Sequence, residues 1–423
     1  MPAVPSSFAR PRLPVLALIG LLTALALAAG SAAAKSSSVH RTRAHARPVC
    51  AKTRSRRSRR RCRTHAAKAP KRTTTAPKKS PAPTHTTPTK PPATKPTGTT
   101  TPTSTPAPVT APIVNPSPQA TPFAPTSVWN QALAVGAPLD AQSATYVSDL
   151  LSQISSAGLW MNTYQYSTPV FTVPAGQPMV AVKLDTASSP QATALRSSWL
   201  QVPVPPNAKA AAGSDEHMVV YQPSTDTMWE FWKMTLESDG WHAQWGGTMP
   251  NVSTNPGYFT SPGPSNWGAT ASSLPLLGGL IRPSELAAGH IDHVLALAIP
   301  DTRAQYFTWP AQRTDGNVYS STAIPEGQRF RLDPSLDLSK IPMSPLVRMI
   351  AVAAQKYGMI VRDKSGSVTL YGEDTADEGL SDPYYGRTGW YQGQYVSNLL
   401  KAFPWSHLEA LQDTLSCCWQ KPY

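Results

Sequence analysis

From residue 35 to residue 122 the chain contains no Leu, Met, Phe, Trp or Tyr, and its large aliphatic residues are Val39, Val49, Val109, Ile113 and Val114. Thr, Pro, Ala, Ser, Lys and Arg supply nearly everything else. Such a stretch has too little apolar surface to offset the backbone entropy lost on ordering, so a folded core can begin only near Phe123. No second low-complexity segment interrupts residues 123–423, which predicts one elaborated domain there.

The charge distribution separates the same two regions. All 24 Asp and Glu residues lie at or after Asp140, against 17 of the 38 Lys and Arg, so the domain is acidic, near −7, although the whole chain carries +14. The basic balance therefore describes the N-terminal tail. The run Arg54, Arg56, Arg57, Arg59, Arg60, Arg61 and Arg63 has no aromatic residue interleaved, so nothing flat is available to stack on a base, and a nucleic-acid partner is not expected. Anionic cell-wall polymers or lipid headgroups suit residues 35–79 better; a solvated, self-repelling linker is the alternative.

Residues 1–34 order as an export signal. Arg10 and Arg12 precede an apolar stretch from Leu13 to Ala29, and the small residues Gly30, Ser31, Ala32, Ala33 and Ala34 follow. The apolar length also suits an uncleaved anchor, since a spanning helix needs about 20 residues. Either way the domain is placed outside the membrane, secreted or held at the cell surface. Residues 80–122, rich in Thr-Pro, Lys-Pro and Ala-Pro steps, predict a semi-rigid spacer which, at ~3.1 Å per residue, could reach more than roughly 100 Å. Export permits disulfides. Cys50 with Cys62 would close a short Arg-rich loop, while the adjacent Cys417 and Cys418 could bridge each other only through a strained ring.

Within the domain, Val147, Leu150, Leu151 and Ile154 recur at helical spacing between Asp140 and Gly158, and Leu346, Met349, Ile350 and Ala353 do so after a Ser344-Pro345 start. Elsewhere short β-branched and aromatic runs alternate with Pro, Gly, Ser and Asp, as in residues 170–173, 217–221, 228–234 and 291–299. Residues 359–362 and 368–371 read as a hairpin around Ser365-Gly366, and residues 395–415 as a helical segment broken at Pro404. The expected fold is mainly β with peripheral helices, an antiparallel β-sandwich of jelly-roll type.

No Gly-rich phosphate loop, GxSxG elbow, HExxH, CxxC or EF-hand loop occurs, so neither a metal nor a cofactor is expected. The remaining chemistry clusters between residues 215 and 245. Alternation along residues 228–234 puts Trp229 and Phe231 on one face and Glu230 with Trp232 on the other. If the first pair fills the core, Glu230 looks outward with His217 and His242 on neighbouring strands. That predicts a proton-transfer centre of Glu230, His217 and His242, with Trp232 and Trp245 stacking on sugar rings. The competing reading buries the tryptophans and pairs Glu230 with a buried Arg. His290 and Asp292 share a face if extended, and Arg329 with Arg331 could present two cations to an acidic sugar; all four are candidate substrate contacts.

The runs Phe123-Ala-Pro-Thr-Ser-Val-Trp-Asn130, Gly213-Ser-Asp-Glu-His-Met-Val-Val220, Thr225-Asp-Thr-Met-Trp-Glu-Phe-Trp232, Leu274-Pro-Leu-Leu-Gly-Gly-Leu280, Gly289-His-Ile-Asp-His293 and Gln355-Lys-Tyr-Gly-Met-Ile-Val-Arg-Asp363 resemble a family of exported proteins of soil actinobacteria. The resemblance implies one secreted domain and assigns no catalytic residue. By pattern alone the domain is also similar to jelly-roll polysaccharide lyases and glucanases, whose ExDxxE signature it lacks. The expected function is binding or cleavage of extracellular polysaccharide, by a polysaccharide lyase or glycoside hydrolase if catalytic. The alternative is a non-catalytic, wall-associated structural or interaction module attached through its basic stalk.

Overall fold

The structure is a computed structural model and describes residues 121–260 and 267–417. The expected signal peptide, basic segment, most of the linker, and Cys50, Cys62 and Cys418 lie outside the described residues. Cys417 is disulfide-bonded. Among the described residues no helix is long and apolar enough to cross a membrane.

A six-stranded mixed sheet organises one side of the domain. Its order is β1 (Leu159–Asn162), β13 (Val368–Tyr371), β9 (Leu295–Ile299), β12 (Met359–Lys364), β11 (Arg329–Leu332) and β14 (Leu408–Ala410). One face carries Leu295, Leu297, Ile299, Met359 and Val361, and these pack with helices α1 (Ser143–Ala157), α4 (Pro345–Lys356) and α5 (Val396–Leu400) in one apolar cluster. Helix α4 starts as its sequence predicts: the Ser344 hydroxyl accepts the Val347 N–H at 3.3 Å, Pro345 occupies the first turn, and Leu346, Ile350 and Ala353 are fully buried. Helix α1 begins three residues after its predicted cap, because the Asp140 carboxylate instead accepts the Gln142 N–H at 2.6 Å in the preceding turn.

The opposite face presents Ala296, Ala298, Ile360 and Tyr371, which join a second cluster together with the four-stranded sheet β2 (Val170–Thr172), β4 (Met218–Gln222), β5 (Thr227–Trp232) and β8 (Trp245–Pro250). Small side chains on that face allow backbone to come close. Gly279 sits at φ +72°, and a Cβ there would lie 2.2 Å from the Ala296 nitrogen, so the Leu-Leu-Gly-Gly-Leu turn can lie on β9 only with glycine at this position. A three-stranded sheet, β3 (Val182–Leu184), β7 (Gly240–Ala243) and β6 (Thr235–Glu237), and a pair formed by β10 (Tyr306–Thr308) and β15 (Leu415–Cys417) complete the strands; helices α2 (Pro190–Ser198) and α3 (Pro283–Ala288) are short.

The domain is thus mainly β-strands in mixed sheets with few helices. Three expectations need correction. The antiparallel jelly-roll pattern is not followed, since β1/β13, β9/β12, β2/β4 and β3/β7 pair in parallel and the described residues form no closed barrel. The predicted hairpin of residues 359–362 and 368–371 does not form either, because β9 inserts between its two strands, parallel to β12 and antiparallel to β13. The last expected helix is only five residues long, and the chain then returns as β14 and β15.

Candidate functional site

A cleft of about 860 Å³ opens where the ends of β1, β5, β8 and β12 meet the segment 269–271 and the stretch 162–166. Its volume falls within the range of small-molecule and oligomer sites. Trp160, Tyr164, Tyr166, Trp232 and Tyr385 give it flat aromatic walls, and Trp160, Tyr164 and Tyr166 remain about two-fifths exposed. Tyr166 holds its place at the rim because Gly213, at φ +106°, has no Cβ: one added there would lie 2.8 Å from the tyrosine ring.

Three carboxylates line the same space: Asp215, Asp315 and Asp363. Asp363 reaches it through a β-bulge. Along β12, Met359 pairs with Leu295, Ile360 with Ala296 and Val361 with Leu297, and then the register jumps so that Asp363 pairs with Ala298. Strict alternation would send Asp363 to the helix-covered face with Met359 and Val361. The extra residue, Arg362, restores it to the face of Ala296 and Ala298, where the cleft lies. Re-aiming a polar side chain is a recurrent use of bulges beside active sites. Burial pushes the Asp363 carboxyl up to about 7, and Asp315 and Asp215 act in the same direction. Glu326 is fully buried close to Asp315 and Asp363, and burial with these two carboxyls raises it well above the ordinary carboxylate range.

The expected centre of Glu230, His217 and His242 is not assembled. Alternation along β5 is as predicted, but the face carrying Glu230 is covered by the segment 267–277 instead of solvent. Glu230 is fully buried, and its two oxygens accept the Ala269 N–H at 2.7 Å and the Leu276 N–H at 2.8 Å. Burial raises its pKa to about 7 against the opposing pull of those amides and of Arg362 and Arg313. Glu230 therefore braces the cleft wall from behind. His242 lies on β7 in the three-stranded sheet, with Nδ1 3.0 Å from Asp185 and Nε2 3.0 Å from Asp239; these two carboxylates raise its pKa. Asp185, Glu237 and His242 bring one ligand atom each within 4.8 Å of one another, the one such trio among the described residues.

His217 does line the cleft, and burial lowers its pKa to about 4 with Asp215 opposing, so its imidazole is neutral at physiological pH. Trp232 and Trp245, expected to stack on substrate, line it as well. Trp232 stands at the end of β5, half-buried, and its Nε1–H donates to Asp215 at 3.3 Å.

The four remaining expected contacts lie elsewhere. His290 and Asp292 form an exposed pair at 2.6 Å, with Lys356 3.4 Å from Asp292. Arg329 donates to the carbonyls of Tyr357 and Gln131. Arg331 pairs with Glu409, directly opposite on β14, at 2.7 Å. Neither arginine lines the cleft.

Sequence reasoning missed Asp315, Asp363 and the rim aromatics Trp160, Tyr164, Tyr166 and Tyr385. The spacing of Trp160, Tyr164 and Tyr166 within seven residues was the available signal for the rim. Nothing in the sequence marks the bulge that brings Asp363 into the cleft. No family model, no curated protein and no solved structure matches the chain.

Proposed function

We propose that this is an exported, cell-surface protein whose domain binds a polysaccharide chain in the aromatic cleft and cleaves it by general acid catalysis. The observation that carries the reading is the meeting, in one cleft, of exposed aromatic planes with a carboxyl held near neutrality. Flat rings suit pyranose faces. A carboxyl that keeps its proton close to pH 7 beside other carboxylates is the pairing glycosidic cleavage needs. In this reading Asp363 gives its proton to the glycosidic oxygen as the C–O bond breaks. Water adds to the anomeric carbon and yields its proton to Asp215 or Asp315. His217, neutral and rigidly buried, orients a sugar hydroxyl.

The layering of the four-stranded sheet over the six-stranded one around a single cluster supports a sandwich as the finer description of the fold. Attachment of the basic segment to anionic wall polymers or lipid headgroups belongs to the same proposal and rests on charge pattern.

The full chain is incubated with plant, algal and bacterial polysaccharides, and new reducing ends and unsaturated-sugar absorbance are followed. Release from at least one polymer, lost in Asp363→Asn, is expected. Saturable binding without release would leave a wall-associated binding module, and neither binding nor release would remove the polysaccharide reading.

A further inference from the structure

Carboxyl groups outnumber basic side chains along the cleft wall. Asp215, Asp315 and Asp363 line it, and Glu326 lies close to Asp315 and Asp363 with no exposure to solvent. The nearby guanidinium groups are engaged elsewhere. Arg313 donates from Nε to the Ala271 carbonyl at 3.0 Å and from Nη2 to those of Gly268 and Thr270 at 2.8 and 2.7 Å. Arg362 is 1% exposed, donates from Nη1 to Leu276 and Gly278, and lies over the Tyr371 ring at 4.2 Å. Lys364 is the remaining basic residue of the lining.

A bound group bearing positive charge would offset the carboxylates that ionise in this cluster, whereas a uronate or phosphate would add to their repulsion. A shared metal ion does not suit the carboxylates: they are not gathered within ligand reach of one centre, as Asp185, Glu237 and His242 are. The aromatic walls suit a ring with an apolar face.

We infer that the cleft selects glycans carrying free amino groups, with the ammonium of an amino sugar seated against Asp315, the sugar ring on Trp232, and Asp363 left protonated at the glycosidic oxygen. This rests on the polysaccharide reading above and narrows it to a substrate class. It also reverses the charge preference that Arg329 and Arg331 suggested in the sequence.

Binding to the full chain is measured calorimetrically at low salt with a glucosamine tetramer, its N-acetylated counterpart, a galacturonate tetramer and trilysine. The glucosamine tetramer is expected to bind about tenfold or more tightly than the N-acetylated one, the span of a charge-assisted hydrogen bond. In Asp315→Asn that ratio falls below about threefold, while Lys340→Ala, on an exposed turn outside the cleft lining, leaves it unchanged. Asp315 is exposed, so its substitution does not threaten folding. The basic tail is present in every variant, and its contribution cancels in these ratios.

Tighter binding of the N-acetylated or galacturonate tetramer that is lost in Trp232→Ala would overturn the amino-sugar preference and leave the polysaccharide reading standing. Preference for trilysine over every sugar would overturn both, as would the absence of binding by all four.

Discussion

Glu230 and Asp363 are two carboxyls that burial lifts to about the same pKa, near 7, yet their surroundings give them different work. Glu230 has two backbone amides on its oxygens and no exposure to solvent. Asp363 keeps one backbone amide, from Lys364 at 2.9 Å, and opens on a cleft with two other carboxylates. A raised pKa alone therefore does not identify a reacting group. What separates the two is whether a substrate atom can approach, and the bulge in β12 provides that for Asp363 while the segment 267–277 denies it to Glu230.

Substitution should split the pair. Asp363→Asn is expected to lower polysaccharide cleavage by about 10²–10⁴, the usual contribution of general acid–base catalysis, with the melting temperature held or slightly raised because like-charge crowding with Asp315 and Glu326 is relieved. Glu230→Ala is expected to cost roughly 3–5 kcal/mol in denaturant unfolding. It strands the Ala269 and Leu276 amides and leaves Arg362 without its buried counter-charge. An Asp363→Asn protein that unfolds early but cleaves normally, or a Glu230→Ala protein as stable as the parent, would break the contrast.

How much of this was readable beforehand follows the range of each interaction. Helix α4 was legible because its cap and apolar face are written within a dozen residues. His217, Trp232 and Trp245 were placed in one site on the basis of neighbouring strands, and they do line one cleft. Glu230 was misjudged because strand alternation tells which residues share a face and is silent on what covers that face. Here the cover comes from some forty residues further along the chain. The insertion of β9 between β12 and β13, and the one-residue register shift that re-aims Asp363, are long-range events with no local signature.

Acid and base should also act on the two carboxyls in the same direction, and this sharpens the comparison without a substrate. Both pKa values are raised above their unfolded values of 4.5 and 3.8, so their stabilising share is complete below those values and is lost as pH climbs through about 7. Asp374, raised to about 8, and Glu378, raised to about 10, extend the loss upward, chiefly through burial. His217, lowered to about 4, works oppositely, but only below its unfolded value of 6.5. Above that pH the folded chain holds protons the unfolded chain has released, so stability falls. The melting temperature is expected to drop by roughly 3–8 °C between about pH 6.5 and 8.5, and Glu230→Gln should flatten the slope. A level or rising profile would contradict the burial of these acids.

The smallest effect is expected at His242, which the sequence placed beside Glu230 and the structure places between Asp185 and Asp239 on another sheet. His242→Ala should leave the melting temperature nearly unchanged and cleavage untouched. A loss of turnover comparable to that of Asp363→Asn would return this histidine to the site.

The most direct test follows the carboxyl carbon of Asp363 by NMR in protein labelled at aspartate, assigned by its disappearance in Asp363→Asn, with and without saturating glycan. A midpoint near 7 that shifts when glycan binds is expected. A midpoint near 4, or one indifferent to a glycan that binds, would mean that the cleft is not where this protein handles its proton.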